Sequence, residues 1–102
     1  NVFVAIDRSE VVGIALTSSN CVDLVFVSKR HRRRGVGTLL VRYCLLALSR
    51  KGFKFAQAGC ETDNEEFAEL LTKLEFEAIG VGQGVHVYSR AIASGGLAQK
   101  PA

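Results

Sequence analysis

The first third of the chain alternates between short apolar runs and polar turns. Residues 2–6, 11–17 and 21–27 are apolar and rich in β-branched side chains, a pattern that predicts strands. Only a few polar residues separate one run from the next. Because parallel neighbours need a long crossover, three strands joined by such short turns must run antiparallel.

The period of the pattern then changes from that of a strand to that of a helix. Apolar residues recur at i, i+3, i+4, i+7, i+8 and i+11 and predict one helical face: Val36, Leu39, Leu40, Tyr43, Cys44 and Ala47. Arg50, Lys51 and Gly52 follow, in keeping with the preference for cations and then glycine at a helix C-terminus. Residues 53–60 predict a fourth strand. A strand–helix–strand unit of this kind makes the third and fourth strands parallel.

A second helix and a final hairpin complete the pattern. A capping box is predicted at Thr62-Asp63-Asn64-Glu65, and the inner face that follows it comprises Phe67, Leu70, Leu71 and Leu74. Residues 76–81 and 85–92 predict strands around a glycine-rich turn. The order βββαβαββ predicts an α+β (α/β) fold, with a mixed, mostly antiparallel sheet, one parallel crossover and two main helices. We expect one domain over residues 1–92 and a disordered tail over residues 93–102.

Composition narrows the class of protein. The chain is 48% hydrophobic and 23% charged, which favours a soluble globular domain, and no uncharged stretch is long enough to span a bilayer. Its three cysteines, Cys21, Cys44 and Cys60, lack any CxxC spacing, so we expect core cysteines, no disulfide framework and no metal site. An intracellular location, cytoplasmic or nuclear, fits best. Because the first residue is Asn1 and not Met, we expect the chain to be part of something longer.

Charge is concentrated in one place. Five of the thirteen basic residues lie between Lys29 and Arg34, whereas seven of the ten acidic residues lie between Glu61 and Glu77. A cationic cluster on an otherwise mildly acidic chain indicates a localised anionic partner.

The basic cluster leads into a sequence suited to phosphate binding. A helix is predicted to begin directly behind Gly35 and Gly37, and its N-terminus exposes N–H groups that have no intrahelical partner. The glycines let a phosphate approach the main chain, and Thr38 adds a hydroxyl donor. A P-loop is excluded because no lysine precedes Thr38, and a dinucleotide fingerprint would need a third glycine. We therefore predict a pyrophosphate held mostly by main-chain amides.

The segment Arg32-Arg33-Arg34-Gly35-Val36-Gly37 reads R-x-x-G-x-G and resembles the acetyl-CoA-binding motif of the GNAT N-acetyltransferase superfamily. Gly13 stands at the superfamily's V-x-G position in its second strand. Residues 64–76 resemble its downstream N-x₅-L-Y-x-K-L-G-F segment, so the resemblance covers roughly residues 2–90.

This resemblance implies an acetyl-CoA (coenzyme A) co-substrate without a metal, and an amine that attacks the acetyl thioester directly in a ternary complex. It implies that the main chain at Phe26 and Val27 pairs with the pantetheine arm. The pyrophosphate would be held by the amides of Arg32, Arg33, Arg34, Gly35, Val36, Gly37 and Thr38. Asn64 would touch the cofactor, or else simply start the second helix. His31 would pack the loop or line the phosphate rim.

The chain also departs from the family pattern. The usual tyrosine, the proton donor to the departing thiolate, is replaced by Leu71, so that proton would come from water or from Tyr88. Asp23 is a candidate general base, with Glu61 and Asp63 as rivals. The family domain normally begins with a strand and two helices that help to form the acceptor site, and we expect this chain to lack them.

Two other functions stay open from the sequence. The first is a catalytically degenerate GNAT-fold subunit that acts as a scaffold or cofactor-binding module. The second is a polyanion or nucleic-acid module that uses residues 29–34, although it would lack interleaved aromatics and a reading helix. The acceptor amine, on a protein or a small molecule, is not determined. An exposed sheet edge would favour a homo- or hetero-oligomer.

Overall fold

Six strands form one mixed sheet in the computed structural model, which describes residues 1–92. The expected tail at 93–102 lies outside the described residues. The elements follow one another along the chain as β1 (Val2–Asp7), β2 (Glu10–Ser18), β3 (Cys21–Val27), a 3₁₀ turn (Lys29–His31), α1 (Val36–Arg50), β4 (Phe55–Glu61), α2 (Glu65–Lys73), β5 (Glu77–Gly82) and β6 (Val85–Ala91). The sheet order is β1-β2-β3-β4-β6-β5. Among these strands only β3 and β4 pair in parallel, which confirms the predicted fold class.

The parallel pair is short because β3 leaves β4. The two strands pair only at Cys21 with Gln57 and at Val22 with Ala58. Directly afterwards β3 carries a β-bulge: Thr17 of β2 faces Val22 and Leu16 faces Leu24, so Asp23 has no partner. A bulge bends its strand and increases the local twist. The remainder of β3, up to Val27, therefore diverges from β4 and opens a gap in the sheet.

Both helices pack on the same face of the sheet. Alternate residues of β4, namely Ala56, Ala58 and Cys60, belong to one core cluster together with buried residues of α1 and α2. The predicted inner face of α2 is confirmed: Leu71 and Leu74 are buried, and Phe67 and Leu70 pack against the cluster. The crossover helix α1 thus lies over β1, β2 and β3, and Leu70 of α2 lies next to Gly37 in its first turn.

The predicted face of α1 is right at Val36, Leu40 and Cys44 but wrong at Leu39 and Tyr43. Its buried residues are Leu40, Val41, Cys44, Leu45, Leu48 and Ser49. By contrast, Leu39 is 52% exposed and Tyr43 is 54% exposed. The helix carries apolar residues on more than one stripe, so periodicity alone could not select the inner one. Contact with β2 agrees with the part of the predicted face that is right, because a Cβ on Gly13 would lie 3.0 Å from Leu40 and 3.1 Å from Val36.

The start of α2 also differs from the predicted capping box. The helix begins at Glu65, and Asn64 is its N-cap: the Asn64 side chain accepts a hydrogen bond from the Phe67 N–H at 3.1 Å. Thr62 lies two residues too early for this role. Asparagine is among the best N-cap residues because its side-chain oxygen satisfies an N–H in the first turn.

The cysteines are free thiols, and two of them belong to the core. Cys44 is fully buried and Cys60 is 2% exposed. Burial raises the pKa of the Cys44 thiol from 9.0 to about 11. Burial also raises the pKa of Cys60, and the nearby Glu61 and Asp63 carboxylates raise it further. A thiol held neutral in this way is a poor nucleophile, so the expectation of core cysteines is confirmed for these two.

The described residues 1–92 contain neither a helix that could span a membrane nor a cluster of metal-binding side chains. Neither α1 nor α2 combines the length and the apolar character that a membrane crossing demands. No three His, Cys, Asp or Glu side chains within residues 1–92 come together in a group that could hold a metal ion.

The corrected face of α1 predicts opposite outcomes for two adjacent leucines. Leu40→Ala removes a side chain that is 3% exposed and should lower the free energy of unfolding by about 2–5 kcal/mol. Leu39→Ala, at a position that is 52% exposed, should change it by no more than about 0.5 kcal/mol. Urea denaturation followed by circular dichroism measures both. Equal losses would contradict the helix orientation described above.

The buried thiols predict a loss of stability at alkaline pH. Since the folded-state pKa of Cys44 lies above its ordinary value of 9.0, at about 11, the folded chain holds this proton more tightly than the unfolded chain does. The free energy of unfolding should therefore fall as the pH rises from 9.0 towards about 11. Urea titrations across this pH range measure the fall. Cys44→Ala should make it shallower, and an unchanged slope in that variant would contradict the assignment.

Candidate functional site

A cavity of about 610 Å³ opens where β3 leaves β4. Its walls are the end of β3, the basic loop with the first turn of α1, and one face of α2. Eight of the ten residues expected to bind cofactor line it: Phe26, Val27, Arg32, Arg33, Gly35, Gly37, Thr38 and Asn64. Arg34 and Val36 do not line it, and Val36 packs against the core instead. The gap in the sheet and the predicted phosphate loop therefore form one continuous site.

The first turn of α1 presents main-chain donors to this cavity. Gly35 is the N-cap in the left-handed region at φ 83°, and no side chain caps the helix. The first intrahelical bond runs from the Leu39 N–H to the Gly35 carbonyl at 3.0 Å. The N–H groups of Val36, Gly37 and Thr38 precede that bond and have no partner within the helix. Donors at the positive end of a 15-residue helix form an arrangement that binds anions.

Gly37, in the first turn of α1, lies next to both α2 and the end of β3. A Cβ at this position would lie 3.4 Å from the Leu70 side chain of α2 and 3.7 Å from that of Val27. The end of β3, the start of α1 and the middle of α2 therefore meet at Gly37, beside the cavity.

The charged residues of the cavity come from two sides. Arg32 and Arg33 line it from the loop, and Lys73 lines it from the last turn of α2. Glu66 and Glu69 also face it from α2. None of these three α2 residues is predicted as a site residue from the sequence, although their i, i+3, i+7 spacing from Glu66 marks one helical face.

The free edge of β3 is formed by Val25 and Val27. The Ser28 N–H donates to the Val12 carbonyl of β2 at 2.8 Å, so the peptide groups of Phe26, two residues earlier, also point to β2. Those of Val25 and Val27 consequently point into the gap. The expectation for the Val27 main chain fits this geometry, whereas the main chain of Phe26 is committed to β2. Val25, which also lines the cavity, therefore provides the main-chain groups that were expected from Phe26.

Arg32 contacts this same edge with its side chain. Its Nε donates to the Val27 carbonyl oxygen at 3.0 Å. The guanidinium carbon lies 5.8 Å from the centre of the Phe26 ring, within the range of a cation–π contact.

His31 anchors the loop from within. Its Nδ1 lies 2.6 Å from the Ser28 Oγ, and its Nε2 lies 3.9 Å from a carboxylate oxygen of Asp7 at the end of β1. The ring also lines the cavity, so both packing in the loop and a place at the rim describe it. His86, by contrast, is half-buried on β6, where its ring meets Tyr88 edge-on at 6.4 Å.

Asn64 both caps α2 and lines the cavity. Its amide oxygen is used by the Phe67 N–H, while the residue lines the site. An amide has two N–H donors besides its oxygen, so capping leaves Asn64 able to donate to a ligand.

The candidate catalytic residues lie near the point where the strands separate, outside the cavity lining. Asp23 is the bulge residue, is exposed, and accepts a hydrogen bond from the Ser18 Oγ. Tyr88 is 7% exposed and pairs with Ala58, which itself pairs with Val22. Tyr88 therefore sits on the last rung that joins β3 to the rest of the sheet.

The other acidic candidates and the replaced tyrosine position lie elsewhere. Glu61 ends β4 and Asp63 lies in the loop before α2, both exposed. Leu71 is completely buried, so the position that carries a tyrosine in the family motif contributes to the core here.

Comparison with known proteins agrees with this geometry. A family model described as an acetyltransferase (GNAT) domain matches residues 1–87. No sequence among the curated proteins matches the chain.

Solved structures share the fold at low sequence identity. An N-acetyltransferase from Staphylococcus aureus Mu50 is 20% identical with a TM-score of 0.80, over 88% of this chain and 66% of that one. The ribosomal-protein-S18-alanine N-acetyltransferase from Escherichia coli is 14% identical with a TM-score of 0.77, over 94% and 71%. The PaiA N-acetyltransferase from Thermoplasma acidophilum, in complex with coenzyme A, is 11% identical with a TM-score of 0.81, over 88% and 59%.

The chain thus spans 59% to 71% of the length of these solved relatives. The family model covers nearly all of the residues that build the sheet, both helices and the cavity. By its sequence and by its fold, the chain belongs to the GNAT acetyltransferase family.

Proposed function

We propose that this domain transfers an acetyl group from acetyl-CoA to a primary amine. The observation that carries the proposal is the cavity at the end of β3, which joins helix N–H groups without an intrahelical partner to the part of the β3 edge that pairs with no strand. Coenzyme A has a diphosphate at one end and an amide-containing arm at the other, and the two parts of the cavity match that division. The Thermoplasma acidophilum relative, whose structure contains coenzyme A, supports the same assignment.

The residues that hold acetyl-CoA fall into two groups in this proposal. The amides between Arg32 and Thr38 hold the diphosphate, with Asn64 as a further donor from α2. The peptide groups of Val25 and Val27 pair with the arm as a neighbouring strand would. The apolar side chains of Phe67 and Leu70 on the opposite wall exclude water from the arm.

The chemistry requires an amine without its proton beside a fixed thioester. Acetyl-CoA supplies the activated acetyl group, and the chain supplies position, which is a large part of catalysis in such reactions. Asp23 is the proposed general base because it lies at the bulge, where the arm of a ligand on the β3 edge would end. Tyr88 is the proposed proton donor to the thiolate, since it lies on the rung at the apex of the gap.

A second candidate function is a cofactor-binding or scaffold subunit without turnover. The burial of Leu71 favours it, because this side chain cannot donate a proton. A nucleic-acid or polyanion function is less well supported, since Arg32 and Arg33 line the cavity and no Phe, Tyr or Trp is interleaved with the basic residues 29–34. Acetyl-CoA and the amine are the proposed partners, an intracellular location is proposed with them, and oligomer formation through a sheet edge stays a proposal.

Two glycines provide a matched test of the phosphate cradle. Gly35 and Gly52 both adopt left-handed backbone conformations, at φ 83° and 92°, with no atom within 4 Å of a Cβ built there. Gly35→Asp and Gly52→Asp should therefore cost similar stability. Only Gly35→Asp places a carboxylate beside the diphosphate, and it should weaken acetyl-CoA binding at least about 100-fold. Calorimetric titration measures this. Equal affinities for the two variants would refute the cradle.

The proposed base predicts a loss of rate without a loss of cofactor affinity. Asp23→Asn keeps the shape of the side chain but removes its basicity, so kcat with an amine panel should fall about 10²–10⁴-fold while the acetyl-CoA Kd stays unchanged. Glu61→Gln and Asp63→Asn test the rival bases in the same assay. If one of these two variants loses the rate and Asp23→Asn does not, the base lies on the β4–α2 side.

A further inference from the structure

The Arg32 side chain is hydrogen-bonded to a main-chain carbonyl that, in the proposed function, binds the arm of coenzyme A. The Val27 carbonyl points into the gap, where the arm of coenzyme A would place an amide N–H. The same carbonyl accepts the Arg32 Nε–H at 3.0 Å. A hydrogen bond from a charged donor is roughly twice as strong as one between neutral groups, so a neutral amide competes poorly for this oxygen.

The second contact of Arg32 reinforces the first. Its guanidinium lies over the Phe26 ring, with the central carbon 5.8 Å from the ring centre. Phe26 itself is 52% exposed, so the guanidinium covers part of a ring that would otherwise face solvent. Two separate contacts therefore hold one side chain at the end of β3.

A diphosphate offers Arg32 a better partner than either contact. Arg32 begins the loop whose amides face the cavity, and its side chain lines that cavity. The planar guanidinium can donate two parallel hydrogen bonds to an anionic phosphate, against one to the neutral carbonyl. A ligand that brings a diphosphate therefore draws Arg32 away from Val27, and a ligand that lacks one does not.

Resting on the proposed function, we infer that Arg32 is a specificity-determining residue for the thioester substrate. When a thioester of coenzyme A binds, Arg32 leaves the β3 edge and the arm can bind there. When a thioester of the same arm lacks the diphosphate, as acylated pantetheine does, Arg32 stays on the edge and weakens binding. Arg32 exchanges its hydrogen-bond acceptor, from the Val27 carbonyl to phosphate oxygens, and no covalent bond changes. The diphosphate thus both contributes its own contacts and releases the edge to which the arm binds.

Arg33 provides the matched control. It lies beside Arg32 on the same loop and lines the same cavity, so its loss removes the same charge from the phosphate end. Within the described residues 1–92, no hydrogen bond or ion pair joins its side chain to β3. A change in the charge of the loop therefore affects both variants, whereas release of the β3 edge belongs to Arg32 alone.

The experiment compares two ligands, coenzyme A and pantetheine, on three proteins: wild type, Arg32→Met and Arg33→Met. Methionine keeps an unbranched chain but has neither donor nor charge. Both variants should bind coenzyme A more weakly than wild type. Arg32→Met should bind pantetheine about 3- to 10-fold more tightly than wild type does, the size expected for one hydrogen bond released. Arg33→Met should leave the pantetheine affinity unchanged. Calorimetry or NMR titration gives these constants without any turnover.

A further variant keeps the charge of Arg32 and removes only its contact with the Phe26 ring. Phe26→Leu removes the ring beneath the guanidinium, so it should strengthen the binding of both ligands, including coenzyme A. Pantetheine affinity that is unchanged or lower in both Arg32→Met and Phe26→Leu, or undetectable in both, overturns the role of Arg32. Failure of the wild type to bind coenzyme A at all would instead overturn the proposed function, so the two failures are distinct. Thermal melts show whether each variant is folded.

Discussion

The early separation of β3 from β4 is the constraint on which the site depends. A parallel pair that continued beyond Val22 would use the peptide groups of Val25 and Val27 in its own ladder, and the sheet would close. The bulge at Asp23 prevents this by bending β3 after a single short stretch of pairing. Since α1 follows β3 in the chain, its N-terminus must then lie at the mouth of the gap that the bulge creates.

The two helices have different N-caps, and this difference decides whether their first-turn N–H groups are satisfied within the chain. Asn64 caps α2 with its own side chain, which satisfies a first-turn N–H internally. Gly35 has no side chain, so the corresponding donors of α1 are not used by a cap. A glycine N-cap costs only a few tenths of a kcal/mol relative to a good capping residue. The chain thus leaves several donors free for an anion at a small cost in stability.

Much of this arrangement could be predicted from the sequence, and the exceptions have physical causes. Strand and helix order followed from hydrophobic period, and the loop at Gly35 and Gly37 followed from its motif. The full inner face of α1 did not, because the apolar residues of this helix form more than one stripe. The direction of the Phe26 main chain did not either. One extra residue at a bulge reverses which peptide groups point into the gap, and nothing in the composition of residues 21–27 marks Asp23 as that residue.

The replacement of the family's tyrosine by Leu71 bears on rate more than on the type of reaction. The ordinary pKa of a cysteine thiol, about 8.5, is about 1.5 units above neutral pH, a difference worth about 2 kcal/mol that sets the scale for protonating a thiolate. Holding the amine and the thioester in reacting geometry is worth about 7–11 kcal/mol. The β3 edge and the α1 amides, which supply that positioning in the proposed function, do not involve Leu71, since it is buried in the core. The loss of one proton donor therefore argues for slower transfer, whereas closure of the gap between β3 and β4 would remove the larger contribution.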